Sequence, residues 1–281
     1  MTSNADEHAR IAQIQAVIFD LDGTVYLGDT LLPGARELIS DLRRDGKAVR
    51  FVSNNPTRDP GQYIQKLDRL GIEADVGEVM TSGVAMAKWL ATHEPGKTVY
   101  PLGEEPLVQQ LTAYGVPLSD DPGQVDIVVA SYDRAFTYEK LQTAFDALWF
   151  HKQARLFATN LDPYCPLAGG RGEPDAGAIV AAIEACTGVT CAHVAGKPEP
   201  AVLAMATDGL DVAPEGCLVV GDRLHTDMQL AHNTGAQGAL ILTGDSTCDD
   251  VAALPAGGRP HYVLENLDAL RTLMANAHVL T

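Results

Sequence analysis

Short apolar runs alternate along the chain with longer stretches whose apolar residues recur every three or four positions. Ala16-Val17-Ile18-Phe19 is apolar on both faces, the pattern of a parallel strand covered by helices on each side. Pro33-Gly34 then opens a stretch with Ala35, Leu38, Ile39 and Leu42 at helical spacing, closed by Gly46. Ala48 to Val52 reads as a second strand running into Ser53-Asn54-Asn55-Pro56. Tyr63, Ile64, Leu67 and Leu70 form one face of a second helix stopped by Gly71. The alternation predicts further helices over 84–93, 105–114, 137–152 and 176–187, with strands at 98–100, 126–130 and 155–158. Beyond Pro198 it predicts a helix to about 210, a strand at 217–220 and a helix over 226–233. A strand at 239–242 and a closing strand and helix over 262–274 complete the pattern. Successive strand–helix units of this kind define an α/β fold built on parallel sheets.

A length of 281 residues suits two α/β regions better than one very wide sheet. Polar, glycine-containing joints at Thr81-Ser82-Gly83 and Ala195-Gly196 predict a core made of 1–81 and 196–281, with 82–195 inserted into it. No apolar run approaches the roughly 18 residues of a membrane span, and Met1 to Gln15 lacks the apolar stretch of a secretory signal. Five scattered cysteines fit a reducing compartment, so a cytoplasmic location is expected. The 37 Asp and Glu against 20 Lys and Arg leave a formal charge of −17. That field disfavours nucleic acid and anionic membranes as partners. It also repels small anions, unless the potential reverses locally.

Four clusters carry chemistry. Asp20-Leu21-Asp22-Gly23-Thr24 follows the first strand, at the carboxyl end where open parallel sheets bind ligands. Extended spacing by two points both carboxylates to one side, and two such charges need a cation or a proton between them. Val219-Val220-Gly221-Asp222 ends another buried strand, with Asp227 beyond it. Asp20 and Asp222 could converge there on an octahedral Mg²⁺, and Asp227 alone reads equally as a helix cap. Ser53-Asn54 offers a hydroxyl and turn N–H groups for phosphate oxygens, although the same residues make an ordinary turn. Lys197 stands at a helix start, where a positive charge is unfavourable without an anionic partner. Gly169-Gly170-Arg171-Gly172 fits neither a Walker A loop nor a dinucleotide fingerprint. Cys186 and Cys191 lack a second ligand pair for zinc, and His225 and His232 read as surface or core histidines.

In this order, Asp-x-Asp-Gly-Thr at 20–24, Ser53, Lys197-Pro198 and Gly221-Asp222 with Asp227 resemble the haloacid-dehalogenase-like (HAD) phosphohydrolases over nearly the whole chain. The insertion point and the phrases Phe136–Leu141, Ala158–Asp162 and Ala176–Ile179 are similar to the NagD-like (class IIA) subgroup of p-nitrophenyl, phosphoglycolate, nucleotide and glycerol-phosphate phosphatases. The resemblance implies a Rossmann-like core with a large inserted α/β cap. It also implies a Mg²⁺-dependent phosphatase acting on a small phosphorylated metabolite, and a homodimer formed through the cap. Asp20 would be the nucleophile that becomes an aspartyl-phosphate, and Asp22 the acid and base. The Asp20 and Asp222 carboxylates and the Asp22 carbonyl would hold the metal. Ser53, Asn54 and Lys197 would bind phosphoryl oxygens, with Asp227 and Thr24 supporting them. Ser131-Tyr132-Asp133 and the polar loop 167–175 depart from the subgroup pattern, which leaves Asn160, Asp162 and Arg171 as candidate substrate contacts. Two rival readings are a phosphotransferase or mutase on the same fold and a non-catalytic binding protein. An intact acidic and basic set argues against the second, and an acid at Asp22 argues against a dehalogenase.

Overall fold

A computed structural model describes residues 9–167 and 171–279. Gly169 and Gly170 of the glycine-rich run, and the first half of the Met1–Gln15 stretch, lie outside the described residues. The chain divides into two units. One comprises 1–52, 64–79 and 197–281, and the other 53–63 and 80–196.

The first unit is built on a parallel sheet. Strand β1 (Ala16–Phe19) is buried at all four positions, as its two apolar faces require. A two-residue hairpin follows, β2 (Tyr26–Leu27) against β3 (Thr30–Leu31). Helix α1 (Ala35–Arg44) buries Ala35, Leu38, Ile39 and Leu42, the stripe its spacing predicts, and carries Arg43 and Arg44 in its last turn, where the dipole favours cations. Strand β4 (Ala48–Ser53), helix α2 (Pro60–Arg69) and strand β5 (Val79–Thr81) follow.

In the other unit, helix α3 (Ser82–His93) is capped by the Thr81 hydroxyl, which accepts from the Val84 N–H. Strands β6 (Val99–Leu102), β7 (Ile127–Ala130) and β8 (Arg155–Ala158) alternate with helices α4 (Glu105–Ala113) and α5 (Tyr138–Phe145). A hairpin of β9 (Tyr164–Leu167) and β10 (Arg171–Pro174) precedes helix α6 (Ala176–Thr187) and strand β11 (His193–Val194). The parallel order is β11-β8-β7-β6. The helix expected over 137–152 stops at Phe145 and continues as a wide π-type turn, Asp146–Phe150.

The chain then completes the first sheet with helix α7 (Pro200–Ala206), strand β12 (Cys217–Gly221), helix α8 (Gln229–Thr234) and strand β13 (Gln237–Ile241). Helix α9 (Cys248–Ala253), strand β14 (Tyr262–Leu264) and helix α10 (Leu267–Val279) end it. Helix α7 ends well short of 210 because the Thr207 hydroxyl donates back to the Leu203 carbonyl and Gly209 turns left-handed. The sheet order is β14-β13-β12-β1-β4-β5. Strand β1 therefore lies where the chain order reverses, the position at which such sheets open a ligand crevice. Among the described residues, no helix is long and apolar enough to cross a membrane.

Candidate active site

Register decides which side chains meet. Phe19 pairs with Val220 on one side of β1 and with Phe51 on the other. The Asp20 N–H donates to the Val220 carbonyl at 2.8 Å, so Asp20 and the Gly221-Asp222 step leave the sheet together. Beyond Asp20 the chain folds into a tight turn, in which the Val25 and Tyr26 N–H groups donate to the Leu21 carbonyl and that of Gly23 to the Tyr26 carbonyl. Gly23 sits at a φ of 91°, and a Cβ there would stand 2.6 Å from Asp222 Oδ2. The Asp222 carboxylate thus presses on backbone that admits no side chain.

Lys197 is the centre of charge. Its ammonium is 3% exposed and donates to Asp20 Oδ1 at 2.5 Å, to Asp227 Oδ1 at 2.7 Å and to the Val52 carbonyl at 3.1 Å. Burial works against its charge, but Asp20 and Asp227 outweigh that and hold it protonated above the ordinary lysine range. Asp227 is placed by the wide turn Leu224–Met228, a geometry that recurs at functional sites, and its second oxygen accepts the Arg223 N–H at 3.1 Å. Asp222 Oδ2 accepts the Asp245 N–H at 2.8 Å, and the Thr24 hydroxyl lies 3.5 Å from Oδ1. Burial, then the Asp227 charge, pushes Asp222 up to about 6. Burial, opposed by Lys197 but reinforced by Asp227 and Asp222, raises Asp20 well above the usual carboxylate range.

Oxygens of Asp20, Asp222 and Asp227 lie within 4.8 Å of one another. Three carboxylates against one ammonium form a hard, oxygen-rich set that suits a divalent cation, and the glycine cradle keeps the Asp222 oxygens close to the turn that follows Asp20.

Asp22 lies beside this cluster with partners that the sequence pattern does not point to. Lys66, 5% exposed, sits 3.5 Å from the centre of the Tyr26 ring and 3.9 Å from Asp22 Oδ1, and the Tyr26 hydroxyl is 3.5 Å from Oδ2. The available signal is a lysine within the apolar face of α2, between Tyr63 and Leu67. Thr243, Gly244 and Asp245 are likewise missed. The Thr243 hydroxyl donates to the Gly23 carbonyl at 2.7 Å, and Gly244 abuts Asp222.

Ser53, Asn54, Asn160 and Asp162 belong to the other unit, where three of them form a buried network. Asn160 Nδ2 donates to the Asn54 carbonyl at 3.0 Å, Asn54 Nδ2 to Asp162 Oδ2 at 3.3 Å, and the Asp162 N–H to Asn160 Oδ1 at 2.9 Å. Ser53 Oγ lies 3.2 Å from the Tyr63 hydroxyl and accepts the Asn55 N–H. Arg171 is exposed on the β9–β10 hairpin. Tyr132 donates a short hydrogen bond to Glu173 of the same hairpin.

A parallel sheet with Asp20, Lys197, Asp222 and Asp227 gathered at its carboxyl edge defines an acidic hydrolase centre. Family models agree: one described as haloacid dehalogenase-like hydrolase matches residues 17–117, and a HAD-hydrolase-like model matches 194–270. Chronophin of Rattus norvegicus is 37% identical over 270 residues, covering 92% of this chain and 87% of its own. The 4-nitrophenylphosphatase of Thermotoga maritima superposes with a TM-score of 0.87 at 35% identity, over 94% of this chain and 98% of that one. A glycerol phosphate phosphatase of Mycobacterium tuberculosis, solved in complex with magnesium, gives 0.82 at 33% identity over 96% and 78%. The chain belongs to the haloacid dehalogenase-like hydrolases, and within them it is a phosphatase.

Proposed function

We propose that this chain is a Mg²⁺-dependent, cytoplasmic phosphatase that hydrolyses a small phosphate monoester through an aspartyl-phosphate. Substrates of the sugar phosphate, nucleoside monophosphate, phosphoglycolate or glycerol phosphate type fit this reading. The observation that carries it is the convergence of Asp20, Lys197, Asp222 and Asp227 at the ends of β1 and β12.

The Asp20 carboxylate attacks phosphorus and the ester oxygen departs, taking a proton from the Asp22 carboxyl. Asp22, now ionised, accepts a proton from water, whose oxygen attacks the aspartyl-phosphate and releases phosphate and Asp20. Lys197 holds Asp20 in line and neutralises charge as it builds on the phosphoryl oxygens. The family resemblance would give Ser53 and Asn54 a phosphoryl-binding role, and Thr24 and Asp227 orient Asp222 and Lys197. Lys66 and the Tyr26 hydroxyl orient Asp22. Magnesium, held by the Asp20 and Asp222 carboxylates and the Asp22 carbonyl, would supply Lewis-acid neutralisation of the phosphoryl group. Residues 82–195 would act as a cap that selects the leaving group, with Asn160, Asp162 and Arg171 as its candidate contacts.

The test is p-nitrophenyl phosphate turnover with and without Mg²⁺, in the native chain and in Asp20→Asn. We expect activity only with the metal, and a fall of at least ~10³-fold in the variant with its circular dichroism unchanged. Wild-type turnover by Asp20→Asn would overturn the nucleophile assignment. Label from the substrate appearing on added glycerol would identify a phosphotransferase instead.

A further inference from the structure

The protein is strongly acidic, yet one cavity in the catalytic unit is lined by the opposite sign. It encloses about 350 Å³, within the roughly 300–1,000 Å³ of small-ligand sites. Arg10, His232, Arg259 and His261 line it, and among the described residues no Asp or Glu does. In a chain with 37 acidic residues against 20 Lys and Arg, that local composition runs against the whole. Met228 and Tyr262, 5% and 3% exposed, supply an apolar floor.

Arg259 and His261 are both oriented by hydrogen bonds to backbone. Arg259 donates to the Leu254 carbonyl at 3.3 Å and the Ala252 carbonyl at 3.2 Å, which fixes the plane of its exposed guanidinium. His261 Nδ1 accepts the Gly238 N–H at 3.1 Å, so the neutral ring carries its proton on Nε2 as a donor. Burial, then the charges of Arg10 and His232, holds His261 below the ordinary imidazole range. An anion entering this cavity meets donors and positive charge over an apolar base.

The cavity also backs onto the reaction centre. Met228 follows Asp227 in the turn Leu224–Met228. The Asp227 carboxylate reaches Lys197 and the Arg223 N–H, while the Met228 sulfur lies against Gly238, 3.1 Å from where a Cβ there would stand. Adjacent residues of one turn thus serve the two places.

We propose that this cavity is a second anion site, taking a small phosphate- or carboxylate-bearing metabolite with a compact apolar body, and that Met228 transmits its occupancy to Asp227. The ligand differs from the substrate in being bound without being cleaved, because no Asp or Glu stands among the described lining residues to form a carboxylate centre like that of Asp20, Asp222 and Asp227.

The probes are sulfate, which offers charge alone, and phenylphosphonate, which adds an apolar body and cannot be hydrolysed. Both are titrated into the ¹⁵N-labelled full chain at constant ionic strength, with chloride as balance. The amides of Gly238, Gly257 and Gly258 are expected to shift saturably, with phenylphosphonate binding more tightly than sulfate. Arg10→Glu/Arg259→Glu should weaken that binding at least about tenfold, a change of ~1.4 kcal/mol, without altering basal kcat. In p-nitrophenyl phosphate assays both proteins should show the same competitive inhibition from the catalytic centre. The native chain should add a change in kcat of at least about twofold, lost in the double variant. His232→Ala, a solvent-facing change, gives a second reading if the double variant folds poorly. Shifts that rise linearly without saturating, or equal affinity in the double variant, would overturn the site. A kcat unmoved at saturation would overturn its link to Asp227.

Discussion

Lys66 is a buried ammonium whose neighbours are a carboxylate and a ring face. A lysine costs free energy when buried, and here the Tyr26 ring and Asp22 offset that cost. Under the proposed mechanism its contribution should appear where Asp22 would matter most, in protonating a poor leaving group. Lys66→Met is therefore expected to lower kcat by about tenfold or more for glycerol phosphate and by much less for p-nitrophenyl phosphate, whose leaving group needs little protonation. Equal losses on both substrates would show that Lys66 only supports the fold. His193 makes a different kind of prediction. Its ring stacks 3.8 Å from Trp89, Nε2 has no hydrogen-bond partner among the described residues, and burial, then the His93 charge, pulls it down to about 4. The unfolded chain takes up this proton near pH 6.5, whereas the folded chain stays neutral until about pH 4. Stability should therefore fall as pH drops from about 6.5 to 4, by roughly 1–2 kcal/mol once the half-exposed setting is allowed for. Urea unfolding at pH 7 and pH 5 measures the loss, and His193→Phe should flatten it.

At the scale of elements, the acidic centre depends on loops that approach more closely than side chains allow. A Cβ on Gly244 would overlap the Asp222 carboxylate. Gly244→Ala is thus expected to displace Asp222, lowering kcat/KM by about 10²-fold and stability by roughly 1–3 kcal/mol. Gly77→Ala, where nothing lies within 4 Å, serves as the control and should do neither. Such contacts explain what a reader of the sequence can and cannot recover. Strand β1 and the buried stripe of α1 follow from local patterns, because burial on two faces or on one writes itself into neighbouring residues. Asp20 and Asp222 stand out because each follows such a strand. The β2–β3 hairpin, strand β11 and the β9–β10 hairpin leave no comparable trace. They are short or partly exposed, and their pairing rests on register rather than on periodicity. The π-type turn at Leu224–Met228 looks like helix in sequence, yet the extra residue it accommodates is what turns Asp227 towards Lys197. Lys66 escapes notice because its partners Asp22 and Tyr26 lie in a distant segment of the chain.

For the whole molecule, the formal charge of −17 and the acidic centre mean that the proposed Mg²⁺ site would make metal binding a term in folding as well as in catalysis. Asp20, Asp222 and Asp227 come together only in the folded chain, since β1 and β12 are paired strands from opposite ends of the sequence. A divalent ion held there stabilises the native state by mass action, by ~2.7 kcal/mol at a hundred times its dissociation constant. In a protein of this size that corresponds to an increase in Tm of roughly 5–10 °C. Sodium chloride at matched ionic strength screens the general repulsion but does not fill the centre, so it should reproduce only a small part of the rise. Asp222→Asn removes one of the three carboxylates without changing the shape of the cradle. Its own Tm is expected to equal or exceed that of the metal-free native chain, because burial and the Asp227 charge already strain the ionised form of Asp222. It should also lose most of the increment from Mg²⁺. A thermal melt of both proteins with EDTA, Mg²⁺ and matched sodium chloride distinguishes the cases. An equal Mg²⁺ increment in both would place the ion elsewhere on the acidic surface and remove Asp222 from its ligands.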